Sequence, residues 1–156
     1  MALASALIAY LHYVAMISIA VVLVVEYGVC VPGMPGSHIR LLARLDLLYL
    51  GLAVLALGSG AARVVWFGKG AAFYLHNPVF YIKLALFLAA GLISIPPTLQ
   101  VLRWMRSLNA DAAHVAADFQ VLRVRRHLLI ELVLFALIPL LATLMARGIG
   151  IQTAAQ

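Results

Sequence analysis

Four apolar stretches, each long enough to cross a bilayer, run through a chain of only 156 residues. They cover about 2–26, 39–67, 78–105 and 121–146, where a spanning helix needs about 20 residues. The connections left over are too short to hold a soluble catalytic domain. Composition agrees: 66% of the residues are hydrophobic and 10% are charged, where soluble domains carry about 25% charged residues. The chain reads as a single all-α membrane domain, 1–156, a polytopic bundle of four transmembrane helices. The first stretch lacks a basic leading region and a small-residue cleavage site. Its apolar run is also too long for a signal peptide, so it reads as a retained span. The net charge of +6 is better explained by orientation in the membrane than by a nucleic-acid partner. The single cysteine, Cys30, rules out an internal disulfide framework.

The connections carry turn chemistry. "YGVCVPGMPGSHIR" is a Gly/Pro turn with Ser37 as a candidate cap for the second helix. "WFGKGAAFYLHNP" joins the second and third, and Asn77-Pro78 suits a helix start. "RSLNADAAHVAADFQVLRVRR" has apolar spacing compatible with a short interfacial helix. With four spans, the termini and the 2–3 connection share one side, which holds Arg63, Lys69 and Arg147. The other holds Arg40, Arg44, Arg103, Arg106, Arg123, Arg125 and Arg126. The excess of arginine marks the cytoplasmic face. Both termini are therefore expected on the outer side, periplasmic for a multi-pass protein of a bacterial inner membrane. The expected surroundings are the lipid bilayer.

Ionisable groups are costly in lipid and should face the interior. Alternating steps of three and four place them on one stripe per helix. The stripes run through Ser5, His12, Ile19 and Glu26; Asp46, Tyr49, Ala56, Gly60 and Arg63; Lys83, Ala90, Ser94 and Pro97; and His127, Glu131, Ile138 and Met145. Small residues at Ala53, Ala56, Gly60, Ala90 and Gly91 predict close helix contact. Pro96 and Pro97 predict a kink. At 1.5 Å per residue, Arg63 and Lys83 lie within about 8 Å of the outer surface and His12 about 14 Å deep. His12, Arg63 and Lys83 thus form a cationic outer group. Glu26, Asp46, His127 and Glu131 form an acidic inner group.

The outer group matches the needs of haem b. A neutral imidazole is a common axial ligand, which makes His12 the candidate metal ligand. Propionates need cations, so Arg63 and Lys69 are expected to hold them. Lys83 suits either role, because a desolvated lysine can lose its proton and ligate. A quinone head group is the second candidate for the same pocket. Lys83 and Glu131 are the candidate catalytic residues, Glu131 being paired with His127 one turn earlier. Structural readings stand beside these. Lys83 and Arg63 can snorkel to the surface, and His12 can serve only to join helices. Asp46 with Arg44 or Arg123, and Glu26 with Arg40, read as structural ion pairs. Cys30, Met34 and His38 span a turn and match no specific metal geometry. No P-loop, GxGxxG, HExxH or nucleophile motif is present.

"FGKGAAFYLHNPVFYIKLALFLAAGLISIPPTLQVLRW" and "LLATLMARGIG" resemble a family of small four-span bacterial membrane proteins of unknown function, domain of unknown function 2214. The layout is more distantly similar to HemJ-type protoporphyrinogen oxidases and CopD-type membrane domains. That second resemblance implies bound haem b, a functional histidine in helix 1 and a functional lysine in helix 3. His12 and the Lys83 of "YIKLAL" match those places. The tryptophan-rich start and the asparagine-glutamate run near helix 4 of that group have no counterpart; "RHLLIELVLF" supplies only Glu131. The resulting expectation is electron transfer or porphyrinogen oxidation, with a membrane quinone or a respiratory or haem-biosynthesis partner. The alternatives are a non-catalytic accessory or assembly subunit and a small transporter or metal-handling protein. A homo-oligomer stays open.

Overall fold

The computed structural model describes residues 2–67 and 71–147. Helix α1 covers Ala2–Val29, α2 Gly36–Ala62, α3 Ala71–Leu75, α4 Pro78–Ala110 and α5 Asp118–Ala146. A π-helical turn, Arg63–Phe67, prolongs α2. The α2 segment through Phe67 and the helices α1, α4 and α5 are long and apolar enough to cross a membrane. The chain is thus an all-helical bundle with four candidate spans, as its hydropathy predicts. Helix α1 packs mainly on α2 and α4 mainly on α5, while α2 meets α4 and α1 meets α5 more sparsely. The bundle is therefore two helix pairs laid together.

The stripes fold inward as their period requires. Every stripe residue named above is buried or half-buried, whereas Leu47, Val54, Leu92 and Val133 on other faces are exposed as lipid-facing side chains should be. Packing is uneven along the bundle. No residue of α1 before Ala15 and none of α4 before Ala90 is buried. The core lies towards the arginine-rich end, around Ile19, Leu23, Leu42, Trp104, Val121 and Leu128. Trp104 Nε1 donates to Gln120 Oε1 at 2.9 Å and ties α4 to α5 there.

Several local expectations change. Helix α2 begins about three residues earlier than predicted, at Gly36 after Pro35, and Ser37 makes no cap bond. Residues 111–117 form no helix; α4 instead runs on to Ala110. The short helix α3, unanticipated, lies in the connection before Pro78. Asn77 does cap α4, its Oδ1 accepting from Val79 N at 2.9 Å. Helix α4 runs on through Pro96 and Pro97 as one helix. Gly91 faces outward, and a Cβ there would meet nothing within 4 Å, so its smallness serves no close helix contact.

The α1–α2 turn is held by Arg125. Its Nη1 donates to the carbonyls of Tyr27 and Cys30, both at 2.7 Å, and its guanidinium lies 4.1 Å from the Tyr27 ring centroid. A cation thereby satisfies carbonyls left open at the end of α1. Gly33, at φ 71°, then reverses the chain in the left-handed region that other residues enter at a cost. Gly33→Ala is expected to destabilise the protein by about 1–2 kcal/mol, read as a lower midpoint of thermal unfolding in detergent. Arg125→Met, which keeps the stem but leaves the carbonyls unpaired, is expected to cost about 1–3 kcal/mol in the same measurement.

Candidate functional site

The polar residues form two groups, one in each half of the bundle. In the half nearer the termini, His12 projects from α1 onto α2. Its Nδ1 lies 3.0 Å from the Ala56 carbonyl and 3.2 Å from Ser59 Oγ. A carbonyl only accepts, so the ring carries its proton on Nδ1. The hydrogen of Ser59 Oγ goes to the Leu55 carbonyl at 2.6 Å, which leaves an oxygen lone pair for the same ring N–H. Nε2 makes no hydrogen bond among the described residues. Gly60 makes this approach possible: a Cβ there would sit 3.1 Å from His12 Cε1.

Arg63, in the π-helical turn, stacks over Tyr13 with its guanidinium 4.9 Å from the ring centroid. Its Nη2 is 3.4 Å from the Tyr13 hydroxyl. Lys83, half-buried at the start of α4, lies 6.0 Å from the centroid of Phe80. Arg63 and Lys83 both act electrostatically on His12, and Arg63 acts on Lys83. The histidine and the two cations thus share this half of the bundle, each held by other partners: His12 by Ala56 and Ser59, Arg63 by Tyr13, and Lys83 near Phe80. No carboxylate pairs with either cation among the described residues. Lys69 lies outside the described residues. Tyr74 is buried nearby, while His76 is exposed and bonds its own helix at the Ala72 carbonyl, 2.8 Å away.

The second group is acidic. Glu26 is 3% exposed and Glu131 1% exposed. Asp46 Oδ1 accepts from Thr98 Oγ1 at 3.0 Å. Tyr49 lies beside Glu131 and close to Ser94. The ion pairs predicted for this half do not form: Asp46 is held by Thr98, and neither Arg44 nor Arg123 nor Arg40 pairs with a carboxylate among the described residues. The arginines sit on the exposed faces of their helices, turned away from the buried acids. His127 does not join Glu131 either; its Nδ1 bonds the Arg123 carbonyl of its own helix at 2.9 Å.

Sequence reasoning missed Tyr13, Ser59 and Thr98. Ser59 had a signal, standing inside a Gly-Ser-Gly run on an otherwise aliphatic helix. Thr98 follows the proline pair at the inner depth of Asp46. Tyr13 had none, because stacking on Arg63 depends on how α1 and α2 are offset.

These features define a polytopic helical membrane protein with segregated cationic and acidic interiors. The chain belongs to the family described as predicted membrane protein (DUF2214), whose model matches residues 4–150. No curated protein and no solved structure matches it.

Because His12 fills the space above Gly60, Gly60→Ala is expected to displace the ring and destabilise by about 1–3 kcal/mol. Gly58, where a Cβ meets nothing within 4 Å, is the control. Gly58→Ala should stabilise by about 0.5–1 kcal/mol through the gain in helix propensity. Thermal unfolding of the two variants side by side separates them.

Proposed function

We propose that this protein is a small membrane redox carrier that holds haem b in the half of the bundle nearer its termini. His12 is the axial ligand. Arg63 and Lys69 balance the propionates, and Lys83 supplies either a further counter-charge or the second ligand. The observation that carries the reading is the hydrogen bond from His12 Nδ1 to the Ala56 carbonyl. Ligating histidines characteristically donate their other ring nitrogen to a backbone carbonyl or carboxylate, which fixes the tautomer and aims the lone pair. The donor set fits the group in two further respects. Arg63 and Lys83 are cations without carboxylate partners among the described residues. The helix pairs are also loosely packed in this half, where α1 and α4 bury nothing before Ala15 and Ala90.

When bound, haem supplies one-electron redox chemistry. The chain's own contribution is to hold the imidazole in one tautomer, to keep positive charge beside it, and to exclude water with the aliphatic faces. Donation of electrons to or from a membrane quinone is the reaction this position suits. Orientation with both termini in the periplasm of a bacterial inner membrane is part of the same proposal, supported by the arginine excess at the opposite end.

The test is an absorption spectrum of the detergent-purified protein from haem-replete cells, oxidised and then dithionite-reduced. The wild type is expected to show a Soret peak and reduced b-type bands, and His12→Ala to lose them. Arg63→Gln and Lys83→Met should each weaken haem retention about tenfold or more, the scale of losing one hydrogen bond to a charged group. A colourless wild type would remove the haem reading.

A further inference from the structure

Where the arginine-rich halves of the four long helices cross, they line a small, partly open cavity with room for about one water molecule. Glu26 from α1 and Asp46 from α2 supply its polar wall, and Pro97, Val101 and Leu128 flank it from α4 and α5. Glu26 is 97% buried, by its exposure of 3%, and its Oε1 has no hydrogen-bond partner. Asp46 Oδ2 is likewise unpartnered, while its other oxygen is held by Thr98. Two buried carboxyl oxygens without partners, on one water-sized space, are what a bridging water needs.

Glu131 stands one turn beyond Leu128, further from the arginine-rich end; neither of its oxygens makes a well-formed hydrogen bond, and the Tyr49 hydroxyl lies beside it. This carboxyl interacts electrostatically with Glu26 and Asp46. Among the described residues, helix α1 presents Glu26 to the cluster, α2 presents Asp46 and the Tyr49 hydroxyl, α4 presents the hydroxyls of Ser94 and Thr98, and α5 presents Glu131. No cation among the described residues acts on any of the three carboxyls. Arg125, at the same end of the bundle, is committed to the Tyr27 and Cys30 carbonyls. The carboxyls are also not grouped closely enough to hold a metal ion, among the described residues. Three adjacent carboxylates cannot all stay ionised in such surroundings. The ligand suited to this site is the proton.

We propose that Glu26 and Asp46, bridged by one water in this cavity, form a proton-binding site reached from the arginine-rich end, with Glu131 as the next acceptor towards the middle of the bundle. A proton released by bulk water at that end adds to a carboxylate oxygen of the pair, and the site gains one positive charge unit. The short path follows from position: Glu26 lies three residues, about 5 Å, from the end of α1. The inference does not rest on haem.

The experiment is infrared spectroscopy of the full chain in lipid nanodiscs near neutral pH, in H2O and after transfer to D2O. A carbonyl band of neutral carboxylic acid, shifted to lower frequency in D2O while the protein stays folded, is expected. Glu26→Gln and Asp46→Asn should each remove one component of it. A spectrum with no such band, a band that does not shift in the folded protein, or one that both variants leave intact would overturn the proposal. A second measurement uses the unaltered protein, so that misfolding of a variant cannot decide the matter. Dicyclohexylcarbodiimide, which reacts with protonated carboxyls in apolar surroundings, should label Glu26 or Asp46, and less so as the pH is raised. Labelling confined to Asp111 and Asp118, or absent from both members of the pair, would count against it.

Discussion

In hydrocarbon, a backbone N–H or C=O without a partner costs several kcal/mol, so each crossing segment has to satisfy its own backbone as a helix. Once the chain has done so, its backbone has almost nothing left to offer a ligand. The chemistry falls to side chains between helices and to carbonyls at the points where the helical ladder ends. Arg125 illustrates the second case. It crosses from α5 to the last turn of α1 and binds two carbonyls there, which fixes the two weakly joined helix pairs against each other at one end. The opposite end has no such clamp among the described residues and packs more loosely.

That asymmetry sorts the two polar groups. The tight half holds carboxyls around a water-sized space, where only the smallest of ligands fits. The loose half holds a histidine and cations between half-buried walls, where something larger and anionic fits. Charge separation along the bundle, positive near the termini and acidic towards the arginine-rich end, is therefore matched by a gradient in packing.

How much of this was legible in the sequence depended on whether a residue's position is set by its own helix or by a neighbour. The inward stripes were readable because period 3.6 fixes which residues share a face, and His12, Glu26, Arg63, Lys83 and Glu131 all turned inward as that period requires. Partners were not readable to the same degree. His12 finds Ala56 and Ser59 only through the axial offset of α1 on α2. Pairing arginines with acids failed for Glu26 and Asp46, because the acids turn inward while Arg40, Arg44 and Arg123 lie on the outer faces of their helices. The Asn77 cap was legible since capping is local, whereas α3 and the π-helical turn interrupt a stretch whose hydropathy alone looks uniform.

Cys30 offers a use of a different kind. Its side chain is fully buried beside Val121, with Sγ 4.0 Å from that residue's carbonyl, and burial pushes the thiol up to about 11. At neutral pH almost none of it is thiolate, the form that reacts with alkylating reagents. The α1–α2 turn must come away from α5 before the sulfur meets a reagent. As the sole thiol in the chain, it is a built-in clock: the pace at which it is alkylated in a native membrane reports how often the clamped end of the bundle opens.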